Sequence, residues 1–401
     1  MRTLLVQDYL LTHTLDELKE EHGVNWRADT DGTKFSLNYD QIASKETDPL
    51  ACQCRGLVLR PKDLDCCWRS GIVGETTVLA YPMDRFFNLG QDCVAEVDFS
   101  DPILHVLEKL DGTMVCVYFD PLKEIWCTAT RSVPEADLPI NDFTGDDMTF
   151  GKLFRQAYAV TTGRQFECHL EESSVRYFNY VFELTTPFNR IVVKYDDWKV
   201  TLLAVRELIG DLSERGDVNK IAEFMGYPVP ERWNLYDPKT IAAAVNLKDP
   251  KESEGVVIVD SKFRRMKIKS EAYVLASKMK DGVTSSRRNA LFAAIEGRLD
   301  DVIPLVCDET KVYLRRMQDA LREWNLRTNN FYVKCRDEAN GDRKTFARLV
   351  TANPHEWHAV YFSLLDGRGF EAINVLRNLA SHGRLGTRAL DTLLKNLGLD
   401  R

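Results

Sequence analysis

Lys109 is followed, one residue on, by Asp111-Gly112, and the order Lys-x-Asp-Gly suits an enzyme that carries a nucleotide on its own lysine. That chemistry needs an amine aimed by a rigid element and a backbone that a phosphate can approach closely; a neighbouring glycine supplies the second. Apolar Val106 and Leu110 lie on either side of the lysine, as in a strand, so Lys109 is read at a strand end. Asp111-Gly112 has the composition of a tight hairpin turn, with Thr113–Phe119 as the returning strand. The same four residues also describe a surface hairpin with a solvated lysine. Other parts of the chain must therefore supply cations for a triphosphate, carboxylates for ribose or metal, and a floor for a base.

Candidates for each occur in order. Lys267 and Lys269 are two apart in the run Met266–Lys269, which puts both ammoniums on one strand face. There they would hold an α-phosphate and, near Lys109, lower its pKa; an edge strand showing lysines to water has the same pattern. Glu254 opens Gly255-Val256-Val257, a strand that a short turn would pair with the lysine-bearing one, bringing Glu254 beside the lysines. Glu183 stands between apolar Phe182 and Leu184 at a strand centre, where a carboxylate requires a metal, a sugar hydroxyl or a basic partner. A structural salt bridge is the alternative for either glutamate. Arg55-Gly56 offers a guanidinium fork at a strand start, and Arg85-Phe86-Phe87-Asn88 sets a cation beside aromatics that form either a base-stacking floor or core.

The elements that position these residues divide the chain. From Lys34 to about Lys269 short alternating or β-branched runs dominate, at 56–59, 76–80, 180–184, 190–193, 255–259 and 266–269, with helices near 149–162, 213–225 and 238–246. This predicts an α+β domain of mostly antiparallel sheets over residues 1–284. Thr14 is read as the N-cap of an early helix. After about 285, Val312, Leu314, Met317, Leu321 and Trp324 recur at helical spacing, Asn353-Pro354 reads as a helix start, and 370–380 and 385–397 continue the signal. An all-α domain over 285–401 follows.

At 401 residues and net charge −8 the chain is not coated with nucleic-acid-binding charge, yet residues 281–401 carry 19 Lys+Arg against 16 Asp+Glu, leaving the acidic excess to the rest. No apolar run approaches a membrane span and no signal peptide is read at the start. The ten cysteines lack zinc or Cys-x-x-Cys spacing and are expected to be reduced thiols of a cytosolic protein. Gly145–Lys152 approaches a P-loop but has five residues between its glycines and Leu153 where Ser or Thr is needed, so no kinase function is read.

Taken together, Arg55-Gly, Arg85-Phe-Phe-Asn, Lys109-x-Asp-Gly, Phe-Glu183-Leu with Asn189-Arg190-Ile-Val, Glu254-Gly and Lys267-Ile-Lys269 resemble the ATP-dependent RNA ligases of bacteriophage tRNA-repair type, over roughly residues 35–275. The resemblance implies a nucleotidyltransferase domain followed by an all-helical one, with Lys109 forming lysyl-AMP. It further implies that Arg55, Arg85, Phe87, Asp111, Gly112, Arg131, Glu183, Glu254, Gly255, Lys267 and Lys269 contact the nucleotide or its phosphates. Glu183 and Glu254 are metal candidates, as is the acidic pair Asp300-Asp301, for which a helix-end surface pair is the alternative. Two departures stand out: the family usually has lysine where Arg85 stands, and Thr130-Arg131-Ser132 lacks the glycine of the family's segment.

The implied cofactors are ATP and Mg2+ or Mn2+. The implied partner is RNA with 5′-phosphate and 3′-hydroxyl ends, for instance a cleaved tRNA anticodon stem-loop, healed by a separate kinase/phosphatase. A monomer in the cytoplasm, the host's if the source is a phage, is expected. DNA ligase and mRNA-capping guanylyltransferase share the lysine chemistry but usually continue into a small β-barrel. A catalytically silent RNA-binding protein on the same scaffold is the third reading.

Overall fold

The computed structural model describes residues 3–140, 148–306, 308–352, 357–382 and 384–399. Two compact units divide between Val274 and Leu275. Thr14 does cap the Leu15–His22 helix: its hydroxyl accepts from Glu17 N–H while the Glu17 carboxylate accepts from Thr14 N–H.

Among its described residues the first unit carries three four-stranded sheets. One runs Val24–Ala28, Phe35–Tyr39, Arg55–Pro61, Thr76–Ala80. A second is ordered Lys199–Glu207, Phe178–Thr185, Thr113–Asp120, Ile125–Thr130, and a third Phe87–Asn88, Arg265–Lys269, Gly255–Val259, His105–Glu108. Every pairing is antiparallel except that of Phe87–Asn88 with Arg265–Lys269. The second sheet is covered on both faces. Leu153, Phe154 and Tyr158 of the Phe150–Thr162 helix pack with Phe182 and Val205 on one side, while Val58, Ala80 and Met83 meet Cys116, Tyr118 and Val181 on the other. Phe178–Thr185 is therefore buried along nearly its whole length, and Glu183 is its one charged residue. The third sheet is backed by Ile241 and Val245 of the Pro238–Asn246 helix.

Three expectations are corrected. No hairpin joins Lys109 to Thr113–Asp120: His105–Glu108 pairs with Gly255–Val259, whereas Thr113–Asp120 belongs to the second sheet. Leu110-Asp111-Gly112 is a crossover between sheets. Residues 190–193 form no strand, because the N–H groups of Val192 and Val193 are taken by the Asp111 carboxylate instead of a neighbouring strand. The helix expected near 213–225 spans only Val218–Met225; its forerunner pairs locally, with Glu207 N–H donating to Ser213 O and Arg215 N–H to Val205 O.

Every secondary-structure element among the described residues of the second unit is a helix. Leu314, Met317, Leu321 and Trp324 line one face of the Asp308–Ala339 helix and pack with Leu291, Ile295, Leu376 and Leu393. Val312 does not join them and is 68% exposed; two residues from Leu314, it points to the opposite side of the helix. The Asn353-Pro354 start lies outside the described residues. Among the described residues no helix is long and apolar enough to cross a membrane.

Candidate active site

Lys109 sits where the third sheet hands the chain to the second. Its N–H donates to Gly255 O at 2.9 Å, prolonging the pairing of His105–Glu108 with Gly255–Val259. Three residues later Gly112 N–H donates to Glu183 Oε1 at 3.0 Å. Between them Asp111 is 2% exposed and acts as a pivot. Its Oδ2 accepts from Val192 and Val193 N–H at 2.7 Å each, its Oδ1 from the Tyr273 hydroxyl, and its own N–H donates to Tyr195 Oη at 3.0 Å. Both Asp111 oxygens are thus engaged by protein groups that fix the lysine's backbone. Gly112 is needed sterically, since a Cβ there would lie 2.2 Å from Leu184 O.

The charges converge on Glu254, itself 3% exposed. Its Oε2 pairs with Lys109 Nζ and its Oε1 with Lys269 Nζ, each at 2.7 Å. The register that sets Gly255 opposite Lys269 makes this bridge, and a Cβ on Gly255 would meet Ile268 O at 2.0 Å. Lys267 lies on the same strand face and donates to Phe86 O at 3.1 Å. The Phe86 ring carries two cations, Lys267 Nζ at 5.3 Å and the Arg55 guanidinium at 5.1 Å. Arg55 also approaches Met114 Sδ at 3.3 Å. Arg85 is stacked between the rings of Tyr39 at 4.3 Å and Phe87 at 5.0 Å, and Arg131 lies 5.7 Å from the Tyr39 ring centre. Aromatic rings that hold desolvated cations contribute ~2 kcal/mol each and here fix guanidiniums without consuming their donors. A cavity of about 350 Å³ opens from Lys109, lined by Arg55, Phe86, Glu183, Leu107 and Val257 among others.

The electrostatics correct one expectation. Burial alone favours a neutral Lys109, but the Glu254 and Glu183 carboxylates outweigh it and hold the lysine's pKa above its ordinary value. The lowered amine is Lys267, pushed down to about 7 by burial and by Lys269, Lys109 and Arg55. Burial and the proximity of Glu254 raise Glu183 to about 7, against the pull of Lys109. Near pH 8 Lys267 is therefore largely neutral, and an anion that restores its charge must bind together with a proton. Pyrophosphate affinity is expected to fall as pH rises from 7 to 9, with proton uptake visible as a buffer-dependent binding enthalpy. Lys267→Gln should remove that component, and calorimetry in two buffers checks it.

Among the described residues no group of three or more His, Cys, Asp or Glu side chains is placed to hold a metal ion. Asp300 and Asp301 belong to the second unit and are exposed, Asp300 accepting from Gln318 Nε2 at 2.9 Å. Cys52, Cys54, Cys93, Cys116, Cys127, Cys168 and Cys335 are free thiols.

Residues 53–281 match the family model described as RNA ligase, more than half of the chain and the whole of the cluster from Arg55 to Lys269. The chain belongs to the RNA ligase family. An RNA ligase of Rhodothermus phage RM378 is 25% identical over 377 residues, covering 78% of this chain and 81% of that one. Among solved structures, an archaeal ATP-dependent RNA ligase superposes with a TM-score of 0.42 at 14% identity, over 76% of this chain and 74% of that chain.

In this RNA ligase chain the structure brings together Arg55, Lys109, Glu183, Glu254, Lys267 and Lys269, with Arg85 and Arg131 against Tyr39 and Phe87 on the other side of Arg85. Sequence reasoning missed Phe86, Tyr39, Tyr195 and Tyr273. Phe86 was in view beside Arg85, but nothing in adjacent phenylalanines tells that one carries Lys267 and Arg55 and the other Arg85. Tyr195 and Tyr273 carry no local signal; each acts on Asp111 from a distant segment.

Proposed function

We propose that the chain is an ATP-dependent RNA ligase that seals 5′-phosphate to 3′-hydroxyl ends in three steps. The observation that carries this reading is the Glu254 bridge, which gathers nucleophile and phosphate-binding cation at one point. First, Lys109 Nζ attacks the α-phosphorus of ATP; a P–N bond forms, the P–O bond to the β-phosphate breaks, and pyrophosphate leaves. The AMP then passes to the 5′-phosphate of an RNA end, freeing the lysine. Finally a 3′-hydroxyl attacks that phosphate, its proton is lost, and AMP departs. Arg55, Lys267 and Lys269 neutralise the charge developing on the phosphate oxygens, and in-line positioning supplies much of the rest.

A divalent cation, Mg2+ or Mn2+, fits Glu183 and Glu254, whose mutual repulsion across the nucleophile it would relieve; one or two carboxylates completed by substrate phosphates suit such an ion. When bound it supplies charge neutralisation to those carboxylates and to the phosphates. Against those carboxylates, Lys267, Lys269 and Arg55 are the groups of this chain that would favour the free amine of Lys109. The helical C-terminal part, mildly basic, selects the RNA, for which a cleaved tRNA anticodon arm healed by a separate kinase/phosphatase is the natural candidate. The enzyme acts as a cytoplasmic monomer. After Lys269 the described chain continues in helices and not in the small barrel expected of a DNA ligase or capping enzyme.

Sealing assays on matched RNA and DNA strands with 5′-phosphate and 3′-hydroxyl ends test this. Joined RNA with a transient adenylylated 5′ end is expected. Joining of DNA alone, or neither polymer, would contradict it.

A further inference from the structure

The Arg85 guanidinium is nine-tenths buried between Tyr39 and Phe87, yet its Nη1 has no hydrogen-bond partner and its Nη2 lies 3.6 Å from Glu46 Oε1. A buried donor left open is costly and points to an acceptor that arrives with a ligand. Glu46 is unlike the other charged groups here. Its carboxylate is 42% exposed and accepts from Gln91 Nε2 at 3.1 Å. Gln91 Oε1 in turn accepts from Asn88 N–H at 2.6 Å and Asn88 Nδ2 at 2.8 Å, and Asn88 pairs in register with Lys267. The strand pair that presents Lys267 therefore also holds a carboxylate over Arg85.

The backbone around Glu46 is pinned. Ser44 Oγ donates to Gly23 O at 2.7 Å, Cys52 Sγ to Glu46 O at 3.6 Å, and Asp48 caps the next helix by accepting from Leu50 N–H at 2.9 Å. The Glu46 side chain, by contrast, is 42% exposed. A carboxylate and a phosphate present the same kind of anionic oxygens to a guanidinium fork, and either can engage two of its nitrogens at once. Glu46 engages one and leaves the other open.

We propose that Glu46 is a resident stand-in for the terminal phosphates of the triphosphate. Its carboxylate covers Arg85 in the empty protein, yields to the β- and γ-phosphates on binding, and returns as pyrophosphate leaves. No covalent bond changes in this exchange; the side chain competes with the leaving group for one guanidinium and so speeds its departure. The proposal rests on the nucleotidyl-transfer reading given above and adds to it a group that limits product retention.

Equilibrium binding of inorganic pyrophosphate to the full-length chain, free of adenylate, tests it. Glu46→Gln is expected to bind pyrophosphate about two- to fivefold more tightly than wild type, the size of a half-exposed ion pair, and to release it more slowly in stopped flow. Glu46→Asp keeps the charge but withdraws it by one methylene, and is expected to behave like Glu46→Gln. Unchanged or weaker binding by Glu46→Gln overturns the proposal, as does wild-type behaviour of Glu46→Asp, which would mark a general charge effect. Arg85→Gln reports separately on the underlying reading. If it binds pyrophosphate as wild type does, Arg85 is no phosphate site, and that assignment fails on its own account.

Discussion

Replacing Glu254 by glutamine is expected to cut lysyl-nucleotide formation by about two orders of magnitude and to lower the melting temperature. The carboxylate is buried and holds Lys109 and Lys269 at 2.7 Å on either side. An amide of the same shape leaves two ammoniums facing each other without a counter-charge. Breaking a buried pair by removing one partner costs about 3–5 kcal/mol, which for a domain of this size corresponds to a drop of roughly 6 °C or more. The change in protonation does not rescue the site. Lys109 becomes easier to deprotonate once Glu254 is neutral, but it is no longer aimed, so raising the pH should leave most of the defect in place.

The pH dependence of stability follows the same pair. Glu254 is held below its ordinary pKa, so its contribution is present above about pH 4.5 and is lost as pH falls through the lowered value. Lys109 is held above its own, so its contribution is present below about pH 10.4 and is lost as pH rises through the raised value. Between these limits the wild-type advantage over Glu254→Gln in thermal melts should diminish in one step as pH rises through about 7, where Glu183 gains its charge and Lys267 loses its own, and stay flat on either side. An advantage that vanishes near neutral pH would show that the bridge is not ionic.

Gly112→Ala is expected to have an effect as large on chemistry with less effect on the fold. The added Cβ would lie 2.2 Å from Leu184 O and 3.0 Å from Thr185 Cγ2. Leu184 cannot withdraw, because it is paired with Thr113 on one side and Val200 on the other. The crossover must move instead, carrying Lys109 with it and stretching the Gly112 N–H bond to Glu183. A displacement of about 1 Å costs on the order of a hundredfold in rate. Single-turnover adenylylation should fall by that factor while near-ultraviolet circular dichroism keeps its native form. A variant adenylylated at the wild-type rate would show that the crossover does not set the lysine's position.

The sheets and helices were legible where one pattern dominates. Gly255–Val259 and Arg265–Lys269 pair as their alternation and short turn predict, and this places Glu254 among the lysines. The Leu314, Met317, Leu321 and Trp324 stripe is the core of the second unit. What failed was the reading of short segments whose partners are remote. Asp111-Gly112 has the composition of a hairpin turn, yet the aspartate is buried because Val192, Val193, Tyr195 and Tyr273 converge on it from segments 80 or more residues away. The run at 190–193 is β-branched but donates to a carboxylate and not to a strand. The protonation of Lys109 was misjudged for a related reason: the sequence sets Glu254 beside Lys267 and Lys269, whereas its 2.7 Å contact with Lys109 depends on the remote pairing of His105–Glu108 with Gly255–Val259.

Covalent adenylylation of Lys109 is tested most directly by intact-mass measurement after incubation with ATP and Mg2+. Wild type should gain the mass of one adenylate, Lys109→Ala should gain none, and GTP should not replace ATP. The adduct should disappear when RNA bearing a 5′-phosphate is added. An unmodified wild-type protein, or an adduct that persists in Lys109→Ala, would contradict the account.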